Sequence, residues 1–311
     1  MGLRVVFLAT SSFAVPTLRA LHRGPDTLLA VVTRPDRPAG RGLHLRPSPV
    51  KAAAQELGIP VHQPERVSRG EGLELVRELA PEVLLVAAFG EILKPELLSL
   101  SRIGPINLHA SLLPRYRGAA PIQRALLAGE EETGVTAQWM AEGLDTGDVI
   151  VQRALAIGPE EDFGALHDRL AALAAEVAME TLDLLRAGAA PRVAQAEAEA
   201  TPAPPIRPEE LEIDWRRPAA EIQRQIRASS PRPGARTAYG GKLLKILAAR
   251  LLEGAGGRAG RIVEITPEGL RVQTGSASLL VLRVQPEGRT AMSAGDYARG
   301  HRVCPGQVLG G

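Results

Sequence analysis

Short runs that are almost wholly apolar recur in the first third of the chain. Three of them, LRVVFLA (3–9), LLAVVT (28–33) and VLLVAAF (83–89), have the length of strands and no alternation with polar residues. A strand buried on both faces has this pattern, because helices cover both sides of a parallel sheet. These runs therefore predict a mostly parallel sheet.

Helical patterns lie among and after these strands. One begins at Ser48-Pro49, a side-chain cap followed by proline at the first helical position, and ends before Gly58. Another has apolar residues every three or four positions, namely Phe163, Leu166, Leu170, Leu173 and Val177. Strands that alternate with helices predict an α/β domain with a Rossmann-like sheet.

The pattern changes after residue 193. Residues 194–206 (AQAEAEATPAPPI) have no periodic apolar positions and read as a linker. A short helix is predicted over 219–228, followed by strand-like runs that Gly and Pro separate: KLLKILAARLL, GRIVEIT, GLRVQTG and SLLVLRV. We therefore predict a catalytic domain over 1–193, a linker over 194–206, and a smaller OB-like β-barrel over 207–311.

Composition agrees with a globular, two-domain protein. The chain has 311 residues, of which 45% are hydrophobic and 23% charged. Its single cysteine, Cys304, cannot form an internal disulfide, and no apolar run has the length of a membrane span. We expect a cytoplasmic protein that does not associate with membranes.

Charge divides unevenly between the two predicted domains. Residues 207–311 contain 17 basic and 10 acidic residues, whereas residues 1–206 contain 20 and 25. A basic barrel fits a nucleic-acid partner, because phosphates attract it. A solvated basic surface would account for the same charge.

Polar residues interrupt one apolar run, INLHASLLPRYRGAAP (106–121). Asn107 and His109 are two positions apart, so in a strand they face the same side. The break at 114–118 ends this strand, and ligands of open α/β sheets bind beyond the carboxyl ends of strands. The pair is therefore placed for chemistry, although a single histidine is more often structural.

A carboxylate follows the next predicted strand, GVTAQWM (134–140). Asp145 lies in the loop AEGLDTGD, where a loop aspartate commonly caps a turn. If both strand ends meet in one crevice, Asn107, His109 and Asp145 supply an amide donor, an acid or base, and a carboxylate. That set suits acyl transfer.

These two motifs, INLHASLLPRYRGAAP and GVTAQWMAEGLDTGDVI, resemble the signature of the 10-formyltetrahydrofolate formyltransferase family. RPDRPAGRGLHLRPSPVK (34–51) narrows the resemblance to the branch that acts on initiator tRNA. The similarity covers nearly the whole chain, including IDW (213–215) and AMSAGD (291–296). It implies transfer of a formyl group from 10-formyltetrahydrofolate to the α-amino group of methionine on that tRNA, for translation initiation. A monomer without a metal is expected.

The resemblance also implies roles for individual residues. Asn107 would stabilise the oxyanion, and His109 would donate to the same oxygen or pass a proton to the leaving N10. Asp145 would orient the imidazole or receive the amine proton through a water. The folate would lie against a turn and, through backbone atoms, against FGEIL (89–93); the residues expected there are Ser111, Leu112, Leu113, Pro114, Gly90, Ile92 and Leu93.

Further residues are expected to contact the acceptor. Phe13 would flank the methionine side chain. Arg41, then Arg37, and also Arg46 would contact the RNA from a basic segment that shows no apolar period and is predicted as an irregular loop. The chain departs from the family at SSPRPGART (229–237), where arginines replace common aromatic residues.

Two other interpretations fit parts of the pattern. A formyltransferase for a small molecule such as an amino sugar, or a formyltetrahydrofolate hydrolase, would share the fold and the first two motifs. A non-enzymatic RNA-binding protein would be expected to have substitutions at 107, 109 and 145, and these are absent.

Overall fold

A computed structural model of the chain describes residues 2–39, 44–254 and 257–310. Its strands are β1 (Arg4–Ala9), β2 (Thr27–Val32), β3 (Arg37–Ala39), β4 (His44–Arg46), β5 (Val61–His62), β6 (Val83–Ala87), β7 (Gly104–His109), β8 (Glu132–Trp139), β9 (Val149–Ala156), β10 (Ala235–Tyr239), β11 (Lys242–Leu252), β12 (Ile262–Ile265), β13 (Leu270–Gln273), β14 (Ser278–Pro286) and β15 (Met292–Ser293). Its α-helices are α1 (Val15–Arg23), α2 (Pro49–Glu56), α3 (Gly70–Leu79), α4 (Pro95–Leu98), α5 (Pro121–Ala128), α6 (Phe163–Arg186), α7 (Ala219–Ser229) and α8 (Ala294–His301).

The chain forms two compact units whose segments interleave along the sequence. Unit 1 comprises Met1–Gly118, Glu132–Ala156 and His167–Ala203. Unit 2 comprises Ala119–Glu131, Ile157–Leu166 and Pro204–Gly311. The residues predicted as a linker divide between the units, with 194–203 in unit 1 and 204–206 in unit 2.

Unit 1 is built on one mostly parallel sheet, as its apolar runs predict. The strand order is β5-β2-β1-β6-β7-β8-β9, with parallel pairing up to β7 and antiparallel pairing from β7 to β9. Residues 5–9 of the central strand β1 are completely buried. Burial on both faces is the physical reason for the unbroken apolar pattern.

The topology brings several strand ends to one edge of this sheet. From β1 the chain crosses to β2 on one side, and it later returns to β6 on the other side. In the register, Ala9 pairs with Ala87, and Ala87 pairs with Leu108. The carboxyl ends of β1, β6 and β7 are therefore level, at the position where open α/β sheets bind ligands.

Both helices predicted within residues 1–193 are confirmed. The Ser48 hydroxyl accepts a hydrogen bond from the backbone N–H of Lys51 at 3.1 Å, which caps α2. On α6, Leu166, Leu170 and Val177 are fully buried. No helix among the described residues has both the length and the apolarity needed to cross a bilayer.

The basic segment between β2 and α2 contains regular structure, so the prediction of an irregular loop is wrong for its described residues. Strands β3 and β4 pair as an antiparallel ladder. Side-chain bonds hold the two ends of this segment together. Lys51 Nζ lies 2.6 Å from an Asp36 carboxylate oxygen, and the Gln63 side chain is hydrogen-bonded to both Lys51 and Asp36. These bonds lower the pKa of Asp36, with the Lys51 bond contributing most.

Unit 2 is an antiparallel sheet that packs against helix α7. The strand order is β10-β11-β14-β13-β12, and β15 pairs with β14. The core is formed by buried side chains from the sheet, from α7, from the residues before α7 and from the C-terminal tail, among them Trp215, Ile222, Ile226, Ile246, Val272, Val281 and Leu309.

The C-terminal residues bridge the two outer strands of this sheet. The N–H of Gly306 donates to Ile262 of β12, and the N–H of Gly310 donates to Ala238 of β10, each at 2.8 Å. The tail thus satisfies both edges, which would otherwise expose unpaired backbone groups. The predicted barrel-like domain is confirmed, with a non-strand segment closing it.

Helix α5 belongs to unit 2 although it precedes most of that unit in sequence. It packs against α7, and Arg124 on α5 donates to Glu210 at 2.6 Å and to the carbonyls of Pro204 and Pro205. The Arg124 guanidinium, with a backbone bond from Arg207, holds the pKa of Glu210 at about 2, below its usual value.

We predict that the tail is needed for the stability of unit 2. Leu309 is 2% exposed, so Leu309→Ala should lower the free energy of unfolding by about 2–5 kcal/mol. Leu251, on β11, is 47% exposed, and Leu251→Ala should cost less than about 1 kcal/mol. Urea titrations followed by Trp215 fluorescence in a Trp139→Phe background measure both; equal losses would contradict a stabilising role of the tail.

Candidate active site

The site begins at the carboxyl end of β7, where two polar side chains share one face. Asn107 and His109 point to the side opposite their buried neighbours Ile106 and Leu108. In the antiparallel register with β8, Asn107 lies opposite Gln138 and His109 lies opposite Thr136. The face of the sheet that carries Asn107 and His109 therefore also carries polar side chains on β8.

Asp145 reaches this pair from the loop after β8. Its backbone has a φ of 53°, in the left-handed region, which turns the loop back toward the sheet. A Cβ at Gly147 would lie 1.7 Å from the Trp139 carbonyl oxygen, so this close return requires glycine. Asp145 Oδ1 accepts from Asn107 Nδ2 at 3.2 Å, and Oδ2 lies 3.5 Å from His109 Nδ1.

Further donors hold the Asp145 carboxylate. Gln138 Nε2 donates to Oδ1 at 2.9 Å, and the backbone N–H of Gly118 donates to Oδ2 at 3.0 Å. The Asp145 side chain is only 10% exposed. Both oxygens thus have fixed partners from three stretches of unit 1, and the carboxylate cannot rotate without breaking hydrogen bonds.

Two contacts set the orientation of the His109 ring. Nε2 lies 2.8 Å from the backbone carbonyl of Tyr116, and because a carbonyl only accepts, Nε2 donates. Nδ1 faces the Asp145 carboxylate, which also only accepts when ionised. Contacts at both ring nitrogens therefore fix the orientation of the ring.

The predicted folate turn at 111–114 is held by its own hydrogen bonds. The buried Ser111 hydroxyl donates to the Arg115 carbonyl at 2.6 Å, and its carbonyl accepts from Thr136. Leu113 is buried, whereas Leu112 and Pro114 are half-buried. A ligand at this turn can therefore contact the side chains of Leu112 and Pro114.

The second predicted folate segment projects from the end of β6. Phe89 and Leu93 are buried in the core and pin its ends, whereas Gly90 is exposed and Ile92 is 87% exposed. Gly90 has a φ of 79°, which favours glycine. The outward turn presents backbone groups and one apolar side chain at the edge where β7 carries Asn107.

Phe13, predicted to contact methionine, follows β1 at the same edge. Its side chain is buried at 5% exposure. The ring meets the imidazole of His167 edge-on at a centroid distance of 5.8 Å. Ser12 also contacts this imidazole, at 3.4 Å.

The predicted RNA contacts lie on the segment after β2. Arg37 and Arg46 are exposed and stand opposite each other in the β3–β4 ladder. Arg41 lies outside the described residues. Arg34, at the base of the segment, donates to the carbonyl of Gly90 at 3.3 Å, which links the segment to the projecting turn after β6.

Some residues that contact Asn107, His109 or Asp145, directly or through one further side chain, were not predicted from the sequence. Gln138 had a signal, since it is a polar residue within the buried part of a strand. Gln195 and Arg117 had none, because one lies in an Ala- and Glu-rich stretch and the other among several arginines. The structure describes no group of three or more His, Cys, Asp or Glu side chains that could hold a metal ion within 2–39, 44–254 and 257–310.

With this geometry, the chain belongs to the formyl transferase family: residues 3–182 match the formyl transferase model and residues 205–302 match the formyl transferase C-terminal domain model. It is 52% identical to the methionyl-tRNA formyltransferase of Moorella thermoacetica over 99% of each chain. Identity to the methionyl-tRNA formyltransferase of Geobacter sulfurreducens is 47%, over 99% of this chain and 97% of the relative. The predicted family is confirmed.

The fold also resembles a solved structure, HypX from Aquifex aeolicus in complex with tetrahydrofolic acid. The TM-score is 0.67 over 96% of this chain, at 16% identity. The chain spans about half of HypX, 47% of its length. At this identity the likeness shows the fold alone.

We predict that Gly118→Ala impairs formyl transfer by displacing Asp145. Gly118 has a φ of 132°, and an added Cβ would lie 2.6 Å from the Ala203 carbonyl oxygen, so the backbone N–H that holds Asp145 must move. A misplacement of about 1 Å can cost ~10²-fold in rate.

Gly58→Ala is the matched control for this change. Gly58 also has a positive φ, of 68°, but its added Cβ meets nothing within 4 Å. Steady-state formyl transfer should therefore be near wild type in the control. Equal rates for the two variants would contradict the role of the Gly118 N–H.

Proposed function

We propose that this protein transfers the formyl group of 10-formyltetrahydrofolate to the α-amino group of methionine on initiator tRNA, as a monomer in the cytoplasm. One observation carries the proposal: Asn107, His109 and Asp145 converge at the carboxyl edge of a sheet in a chain that is 52% identical, over 99% of its length, to a methionyl-tRNA formyltransferase. The relatives' substrates support the choice of acceptor.

The reaction moves one carbon between two nitrogens. The amine nitrogen attacks the formyl carbon, and negative charge develops on the formyl oxygen in a tetrahedral intermediate. The bond from carbon to N10 then breaks, N10 gains a proton, and the former amine loses one. A site for this reaction needs a donor for the oxyanion and groups that move one proton.

Asn107 suits the oxyanion. An amide nitrogen carries two hydrogens, and the bond to Asp145 at 3.2 Å uses one of them. The same bond fixes the plane of the amide, so the second N–H keeps a constant direction. A donor that is held in place before the reaction stabilises the developing charge without reorganising.

His109 suits proton donation. The Tyr116 carbonyl and the Asp145 carboxylate lie against its two ring nitrogens. To donate to the oxyanion or to N10, the ring must exchange one of these two contacts for the substrate. Asp145 orients the ring and can receive the amine proton through a water. Asp145 contacts both other residues, so removing one of the three should also disturb the others.

The folate donor is proposed to lie along the edge formed by the turns after β6 and β7. The exposed backbone at Gly90 and the exposed Ile92 can meet a flat ring, with Leu93 anchoring their turn. Leu112 and Pro114 would complete the surface, and Ser111 and Leu113 would shape it from below. HypX, which shares the fold, binds tetrahydrofolic acid.

The acceptor is proposed to be held through its phosphates and its methionine. Arg37 and Arg46 are directly opposed like charges, which destabilise a strand pair, and an RNA phosphate between them would offset the repulsion. Arg41 is proposed as a third RNA contact from the same segment. Phe13, beside His167, would flank the methionine side chain.

We predict formyl transfer to initiator but not elongator methionyl-tRNA. Purified protein is incubated with labelled 10-formyltetrahydrofolate and each charged tRNA, and label in the aminoacyl ester is counted.

Arg37→Ala should reduce transfer to the initiator tRNA by about tenfold, because it removes a proposed phosphate contact. Formylation of an amino sugar, or release of formate without any acceptor, would instead support a small-molecule transferase or a hydrolase.

We predict that Asn107→Ala lowers kcat by ~10²–10³ with little change in folate affinity, since it removes one oxyanion donor. Single-turnover transfer and a folate-binding titration measure the two quantities. Arg46→Ala, at an exposed arginine of the opposed pair, serves as the comparison. It should weaken the use of tRNA and leave folate binding unchanged. Wild-type turnover in Asn107→Ala would remove this residue from the mechanism.

A further inference from the structure

The stretch 195–203, predicted as linker, lies along the turn that follows β7. The N–H of Arg117 donates to the Thr201 carbonyl at 2.8 Å, and the N–H of Ala203 donates to the Arg117 carbonyl at 2.7 Å. The Thr201 hydroxyl accepts from the N–H of Tyr116 at 2.8 Å. The same Tyr116 carries the carbonyl that orients His109, so this stretch is bound to the support of the site.

Gln195 connects this stretch to the loop of Asp145. Its Nε2 donates to the backbone carbonyls of Asp145 at 2.9 Å and Gly147 at 2.7 Å, and lies 3.3 Å from Gln138 Oε1. Its Oε1 accepts from Arg117 Nε at 3.0 Å and Nη2 at 2.8 Å. One side chain thus ties together both sides of a loop whose aspartate has a φ of 53°.

The chemistry of these groups fixes the direction of every bond. A guanidinium only donates, so Arg117 forces the Gln195 oxygen toward itself and the Gln195 NH₂ toward the carbonyls. That NH₂ in turn meets the oxygen of Gln138, which directs the Gln138 NH₂ to Asp145 Oδ1 at 2.9 Å. A wrongly turned amide would place two acceptors or two donors in contact.

We infer that Gln195 is a positioning residue for Asp145, with Arg117 setting the polarity of the chain of amides that ends on the carboxylate. The inference rests on the proposed function only in that Asp145 takes part in formyl transfer. Gln195 fixes the backbone of Asp145, while Gln138 fixes its carboxylate. Together they keep the carboxylate within reach of Asn107 and His109.

Gln195→Glu separates the two contacts of this side chain. The glutamate keeps the acceptor for Arg117 but turns a carboxylate oxygen toward the carbonyls of Asp145 and Gly147, where it repels them. We expect kcat to fall by at least ~10-fold while KM for the donor and for tRNA changes by less than about threefold, because positioning and not binding is lost. Rates are expressed per folded enzyme from a parallel thermal melt.

Glu199→Gln is the matched control. Glu199 is exposed in the short 3₁₀ turn Glu197–Glu199, which follows Gln195, and the substitution makes the reverse exchange of carboxylate and amide. It should leave kcat and both KM values at wild type.

A second measurement needs no substrate. In histidine-labelled protein, the ring-nitrogen resonances of His109 are assigned by their loss in His109→Gln. The Nδ1 atom faces Asp145, so its resonance should shift in Gln195→Glu and stay unchanged in Glu199→Gln. If wild-type protein does not formylate initiator methionyl-tRNA, the proposed function fails, while this arm still tests the contact.

Specific results would overturn the inference. Wild-type kcat in Gln195→Glu with an unmoved His109 signal would show that the amide does not position Asp145. A loss of kcat that disappears when corrected for folded protein, or that occurs equally in Glu199→Gln, would show a structural role only.

Discussion

The Asp145 carboxylate is the group on which the rest of the site depends. Asn107 reaches it from β7, Gln138 from β8 and the N–H of Gly118 from the turn after β7. Burying a carboxylate costs free energy unless hydrogen bonds compensate for the lost water, so the partners of Asp145 must keep one arrangement. The geometry of the site therefore rests on these bonds together, and a change that loosens one of them should loosen the others.

Much of this could be predicted from the sequence because it follows from local periodicity. Unbroken apolar runs gave the parallel strands, and the Ser48-Pro49 cap gave the start of α2. The period of 2 placed Asn107 and His109 on one face. Their meeting with Asp145 followed from the rule that ligands bind at the carboxyl ends of strands, together with family resemblance.

The remainder depends on contacts between residues distant in sequence. Gln195 lies in a stretch with no periodicity, and 50 positions separate it from Asp145, so only the fold reveals their bond. Helix α5 joins unit 2 through Arg124 and Glu210, which no local pattern indicates. The ladder of β3 and β4 was missed because Pro and Gly in that segment predict a loop, whereas the side-chain clamp at its base brings its ends together.

Cations stand opposite each other across paired strands in both units. Arg37 faces Arg46 in unit 1, and Arg236 faces Lys245 on β10 and β11 of unit 2. Such pairs destabilise a sheet. In unit 2, the one ion pair that the described residues give Arg236 is with Glu212, at 3.8 Å, and it partly offsets the repulsion. A polyanion that binds both cations of a pair turns the repulsion into attraction. Under the proposed function, an RNA phosphate between Arg37 and Arg46 would remove this cost in unit 1.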